Sequence, residues 1–346
     1  MTLLNLERPE DQKRLETLHT ADPTDLDVSL TLIRDSLRHN KVLQAALAWS
    51  RTAKANSEVG SKILANLPQM SESEIIKFRI ALDYSNCVEV LNKYEILEPN
   101  QTFYISDYEA TKGQKFKIPS LDQILKSLTK EDLELYKKME ENQWEPKLQL
   151  TPIGLDIHTM ENNIQGKTAI NAKVFASIDT ALTYEPTSYN CENLNILQIV
   201  GGKSKAQWIA DNKGWLVDIV ATKQELPADS YNQSNEEATV LTFAEKVKRY
   251  HDTDIANGYS EPSVESYFMT ATHAFDIGKP LKDNECPLLS SAMSSGLHVI
   301  VANSTENAVV IYAKPLHHED KFIVRLSRRI ELLPLEKIDN HLSSTL

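Results

Sequence analysis

The chain has 346 residues, of which 41% are hydrophobic and 25% are charged, a composition typical of a globular protein with room for two or three domains. Its formal net charge is -12 and no segment is strongly basic, so we expect no nucleic-acid partner.

Residues 1–142 are predicted to form a mainly helical domain. Leu26, Leu30, Ile33 and Leu37 recur at the helical period. The segment Ser71-Glu72-Ser73-Glu74 has the pattern of a capping box, and residues 87–97 predict a further short helix.

Residues 98–142 are predicted to contain both strands and helices. Two alternating segments predict a β-hairpin near residues 103–118, with Lys112-Gly113 between them. Ser120 and Thr129 are predicted N-caps of two helices, and the second of these should end near Asn142. Because Pro146 cannot continue a helix, we place the domain boundary near residues 142–147.

Residues 147–346 are predicted to form a mixed α/β domain, which makes the fold class α+β. A strand pair over 147–158 is broken by Pro152 and Gly154, and a short helix is expected near 169–178. Further helices are predicted over 204–211, 237–250 and 263–277. Residues 215–220 predict a strand buried on both faces. Three more strands are predicted near the end of the chain, over 297–302, 308–313 and 322–330.

The C-terminal segment carries two short motifs, Leu289-Ser290-Ser291 and Ile323-Val324-Arg325-Leu326-Ser327-Arg328. The region of about 263–331 resembles the closing section of C-type-lectin-fold modules of the formylglycine-generating-enzyme-like and retroelement-variable-protein-like kind. Leu289 stands where those modules have an aromatic residue, and Ile323 where they have glycine. The resemblance implies a ligand-binding scaffold. The oxidase activity of some members is not expected, since Cys191 and Cys286 match no catalytic motif.

Polar residues between the last strands are the predicted binding face, because loops on a rigid scaffold are where recognition tends to reside. Ordinary solvated turns are the alternative explanation. The candidate residues are Asn303, Ser304, Glu306, Asn307, Lys314, His317, His318, Glu319 and Asp320.

Two other motifs are better explained by local structure than by chemistry. The segment Val200-Gly201-Gly202-Lys203-Ser204 lacks the first glycine of a phosphate-binding loop, and Ser204 with Gln207 predicts a capping box instead. Asp156 and His158 would share one face of a strand, but no Gly-x-Ser-x-Gly elbow accompanies them.

A metal site is the main enzymatic alternative. His251, Asp252 and Asp254 are residue types that bind divalent cations, and they would serve a metal-dependent hydrolase. A His at the end of a predicted helix is also explained by the helix dipole, so we expect no metal or other cofactor.

The cellular location is predicted from the cysteines and from the absence of a long apolar segment. Cys87, Cys191 and Cys286 lie far apart without a CxxC motif, which predicts reduced thiols in a cytosol-like compartment. The first residues do not resemble a signal peptide, and no apolar run approaches the roughly 18 residues of a membrane span. We therefore expect a soluble cytoplasmic protein, with export by a signal-independent route left open.

The leading functional hypothesis is a non-enzymatic recognition protein that binds a protein or carbohydrate through its C-terminal loops. The metal-dependent hydrolase is the first alternative, and a secreted bacterial effector acting on a host protein is the second.

Overall fold

A computed structural model describes residues 49, 71–98, 102–165, 171–174, 182–184, 188–190, 198–223, 258–260, 262–276, 278, 280–281, 286–293, 298–304, 308–315 and 322–334. These residues form a mixture of helices and sheets, which confirms the α+β class at that level. Within these ranges, no helix is both long enough and apolar enough to cross a membrane.

The chain divides into two compact units, Met1–Asn86 and Cys87–Leu346. The division falls within helix α1, Glu72–Lys93, which is one continuous helix where the sequence predicted separate segments. Ser71 and Glu74 form the predicted capping box, with the Ser71 N–H donating to Glu74 Oε2 at 2.7 Å. The predicted boundary near 142–147 lies inside the second unit, and its role as a separation between folding units stays a prediction.

The next elements follow the local signals of the sequence closely. Strands β1, Phe103–Ile105, and β2, Lys115–Lys117, form the predicted antiparallel hairpin. Helix α2, Leu121–Ser127, is capped by Ser120, whose hydroxyl accepts from the Gln123 N–H at 3.1 Å. Helix α3, Lys130–Glu141, is capped by Thr129 and ends at the predicted position.

Three strands form the next sheet: β3 is Pro146–Pro152, β8 is Trp215–Ala221 and β13 is Ser327–Arg329. The sheet is antiparallel, in the order β13-β8-β3. Every residue of β8 is buried, as the mainly apolar pattern of this segment predicted, and Asp218 is the one charged residue among them.

Two elements between β3 and β8 differ from the prediction. Residues 157–158 do not continue a strand but begin helix α4, Ile157–Gln165. Asp156 is the reason, because its carboxylate accepts from the His158 N–H at 3.0 Å as an N-cap does. The short helix expected near 169–178 is instead strand β4, Asn171–Val174, where pairing with a later strand overrides local propensity.

Four short elements follow β4. They are strands β5, Leu182–Tyr184, β6, Ser188–Asn190, and β7, Gln198–Val200, and helix α5, Lys205–Asp211. Strands β6 and β7 form a separate antiparallel pair. Helix α5 begins at Ser204 with the predicted capping box to Gln207.

Helix α6, Val264–Asp276, confirms the predicted helix over 263–277 and lies in the core of the second unit. All of its residues from Val264 to Ala274 are buried. The helix contacts β3 and β8 of the three-stranded sheet and also two strands of a larger sheet, β9, Cys286–Met293, and β11, Ala308–Pro315.

Two further strands belong to the larger sheet: β10 is His298–Ser304 and β12 is Phe322–Val324. The sheet has six strands, in the order β12-β9-β10-β11-β4 with β5 paired to β9. Strands β10 and β11 form an antiparallel hairpin of seven residue pairs, from His298↔Pro315 to Ser304↔Val309. The strands predicted over 297–302, 308–313 and 322–330 are therefore present, with the last divided between the two sheets.

Candidate functional site

One end of the six-stranded sheet collects the termini of five neighbouring strands. We call it the turn end and define it by Asn171, Cys286, Ser304, Ala308 and Phe322. Strands β4, β9, β11 and β12 begin there, and β10 ends there, because β4 is parallel to β11 and β12 is parallel to β9. With neighbouring strands about 4.8 Å apart, these termini extend over roughly 19 Å.

The first group of candidate binding residues belongs to the turn end. Asn303 and Ser304 are the last two residues of β10, paired with Val310 and Val309, rather than residues of a loop. Glu306 and Asn307 lie outside the described residues, in the three-residue connection between Ser304 and Ala308.

Lys314, from the second group, lies away from the first group. Lys314 is in β11 opposite Val299, which precedes Ser304 by five residues, so it is roughly 17 Å from the turn end along the hairpin. His317, His318, Glu319 and Asp320 lie outside the described residues, between Pro315 and Phe322. Because Phe322 is at the turn end, Glu319 and Asp320 are only two or three residues away from it in the chain. The pairing thus separates Lys314 from Asn303 and Ser304, which the order of residues in the sequence could not do.

Strand β12, which begins at the turn end, is tied to the three-stranded sheet through Arg325, at its other end. This residue follows β12 and precedes β13, so that only two residues separate strands of different sheets. Arg325 is 2% exposed, and its guanidinium donates to the carbonyl oxygen of Ala221, at the end of β8, at 2.6 Å. The buried hydrogen bond fixes the point where the chain passes from one sheet to the other.

A buried charged cluster links β5, α5 and α6. Lys205 Nζ lies 3.3 Å from Glu265 Oε1, and the side chains are 2% and 0% exposed. The Tyr184 hydroxyl donates to the same carboxylate oxygen at 2.8 Å, and the Tyr184 ring stacks on Trp208. Since β5 pairs with β9, the cluster anchors one edge of the six-stranded sheet. No local sequence pattern marks this cluster, because its members are up to 81 residues apart.

A second buried carboxylate joins α6 to the three-stranded sheet. Asp218 of β8 is fully buried and accepts from the Ser266 hydroxyl at 2.9 Å. Its other oxygen lies 3.2 Å from Arg329 Nε, on the neighbouring strand β13. A buried carboxylate satisfied on both oxygens holds helix and sheet in one arrangement.

A thiol and an imidazole also meet in the core. Cys87 Sγ lies 3.7 Å from His273 Nδ1, and the thiol donates to the Leu148 carbonyl at 3.2 Å. Burial lowers the pKa of His273 to about 4, with Lys147 acting in the same direction and Asp276 opposing it. The imidazole is therefore neutral near pH 7. Both side chains are at most 5% exposed, so the pair contributes to packing between α1, α6 and β3.

The remaining motifs lie at one helix or outside the described residues. Asp156 caps α4, and His158 Nδ1 lies 3.2 Å from Glu161 Oε2 within that helix. The alternative metal ligands His251, Asp252 and Asp254 lie outside the described residues. Among the residues with described positions, no group of three or more His, Cys, Asp or Glu side chains could hold a metal ion.

Comparison with known proteins identifies no relative. No family model matches the chain, and no curated protein or solved structure matches it.

Proposed function

We propose that this chain is a non-enzymatic recognition protein whose binding face is the turn end of the six-stranded sheet. The observation that carries the proposal is the convergence of five strand termini at one end of one sheet. Each terminus is the start or end of a connecting segment, so several segments are attached to neighbouring strands at the same end of the sheet. This is how a rigid scaffold supports a recognition surface.

The rigidity of the scaffold supports this proposal. The β10–β11 hairpin is held by seven consecutive residue pairs up to Ser304 and Val309, so the connection at 305–307 has closely fixed ends. Behind the sheet, α6 is buried along most of its length, and Arg325 anchors the strand next to β9. Binding to a preorganised surface loses less conformational entropy than binding to a mobile one.

The charge of the connecting segments supports a partner with a basic surface. The three residues preceding β9, the three preceding β12 and the three joining β10 to β11 contain five carboxylates and one ammonium group. They are Asp283, Glu285, Glu306, Glu319, Asp320 and Lys321. A protein partner with a basic surface complements this charge, and electrostatic complementarity increases both specificity and the rate of association.

The C-type-lectin-like assignment of the C-terminal region remains part of the proposal. Its support is the pairing of β9 with β12, which contain the two motif segments of the resemblance. The first motif, Leu289-Ser290-Ser291, lies in β9, and Ile323 of the second pairs with Pro287 of the same strand. The two motifs therefore lie on neighbouring strands of one sheet, with Ile323 and Val324 paired to Pro287 and Leu288, the two residues before Leu289.

The test is binding to a random displayed peptide library and to a glycan array. We expect the full chain to select peptides rich in Lys and Arg, with affinity falling as ionic strength rises. The triple variant Glu285→Gln, Glu306→Gln, Asp320→Asn should lose this binding while its melting temperature stays nearly unchanged, since each change replaces a carboxylate by an amide of similar size.

A matched control removes the same number of charges elsewhere. Glu131, Glu134 and Glu141 are exposed on α3, and their replacement by Gln should leave peptide binding intact. The proposal fails if the turn-end variant binds as the unmodified chain does, or if both triple variants lose binding equally. Selection of uncharged glycans alone would contradict the basic protein partner.

A further inference from the structure

We draw no further inference here: the strongest candidate, the buried cluster of Lys205, Glu265 and Tyr184 between α5, α6 and β5, carries nothing because its contacts are to one another and to neighbouring core groups, so it belongs to the packing already described.

Discussion

Among single residues, Glu265 shows how strongly the stability of the fold depends on a buried charge. Its carboxylate is fully buried, and Oε1 accepts from Tyr184 and lies beside the Lys205 ammonium. Oε2 has no hydrogen-bond partner in the part of the chain that the structure describes. A buried ion pair is weak evidence for net stabilisation, but removing one partner leaves the other charge uncompensated.

We therefore expect Glu265→Ala to lower the free energy of unfolding by about 3 to 5 kcal/mol, because Lys205 would remain buried without its carboxylate. Denaturant unfolding followed by circular dichroism measures this loss. Glu134→Ala, on the exposed face of α3, is the control and should leave stability nearly unchanged.

A double variant separates the charge effect from the loss of packing. Lys205→Met with Glu265→Leu removes both charges and keeps apolar volume, so it should be more stable than Glu265→Ala. Equal destabilisation of the two would show that packing, and not the loss of the Glu265 charge beside Lys205, determines the loss.

His273 gives the chain a specific pH dependence of stability. Its pKa is about 4 in the folded protein, below the ordinary value of 6.5, so the unfolded chain takes up the proton first. The contribution of His273 to the free energy of unfolding is therefore present above pH 6.5. It falls by roughly 3 kcal/mol as the pH drops from 6.5 to 4.

The variant His273→Gln should reduce this dependence, because it has no imidazole to titrate. Urea unfolding at about pH 7 and about pH 4.5 compares the two proteins, with carboxylate titration common to both. If the unmodified chain and the variant lose the same free energy of unfolding between these pH values, titration of His273 does not cause the loss.

At the scale of elements, two glycines in turns allow a matched comparison. Gly214, before β8, has φ +78°, and a Cβ added there would overlap the Phe116 ring. Gly113, in the β1–β2 hairpin, has φ +79°, but a Cβ there would have nothing within 4 Å. Both conformations disfavour a side chain, whereas only Gly214 also lacks the space.

We expect Gly113→Ala to cost about 1 kcal/mol from the backbone alone, and Gly214→Ala to cost a further 1 to 3 kcal/mol from overpacking. Thermal unfolding of the two variants gives the difference. Equal losses would mean that Phe116 moves aside without penalty.

The helix caps show which elements could be predicted from the sequence. Ser71, Ser120, Thr129 and Ser204 were all predicted as N-caps, and each hydroxyl accepts from a backbone N–H three residues later. A cap is formed entirely by residues within one turn, so its signal is present in the local sequence.

The two incorrect predictions of element type, at α4 and β4, have different causes. Helix α4 has Ile157, Met160 and Ile164 buried at helical spacing, a signal that the alternation before it obscured. Strand β4 pairs with β11, more than 130 residues later, and this pairing was invisible locally.

At the scale of the molecule, residues 87–142 contact the C-terminal sheets at several points. The Tyr104 hydroxyl donates to the Gly214 carbonyl and accepts from the Gly154 N–H. Asp132 of α3 lies 2.6 Å from Arg328 Nε on β13. These bonds join the hairpin and α3 to the three-stranded sheet.

A fragment of residues 71–346 should therefore unfold cooperatively, while a fragment of 147–346 should not, because the latter loses the partners of Gly214 and Arg328. Thermal melts of the two fragments, with one-dimensional proton spectra, measure this. Adding residues 71–146 in trans is the control and should restore cooperativity. A cooperative transition of 147–346 alone would instead support the predicted boundary near 142–147.

The sequence by itself determined the mixed class, the helix caps, the hairpin and the buried strand β8, since each depends on residues close together in the chain. The tertiary structure decided which strand ends meet, that Lys314 lies away from Ser304, and that Lys205 and Glu265 share one buried site. Those facts depend on strand register and helix packing between distant segments. They are determined by the packing of the whole core, which no local sequence pattern predicts.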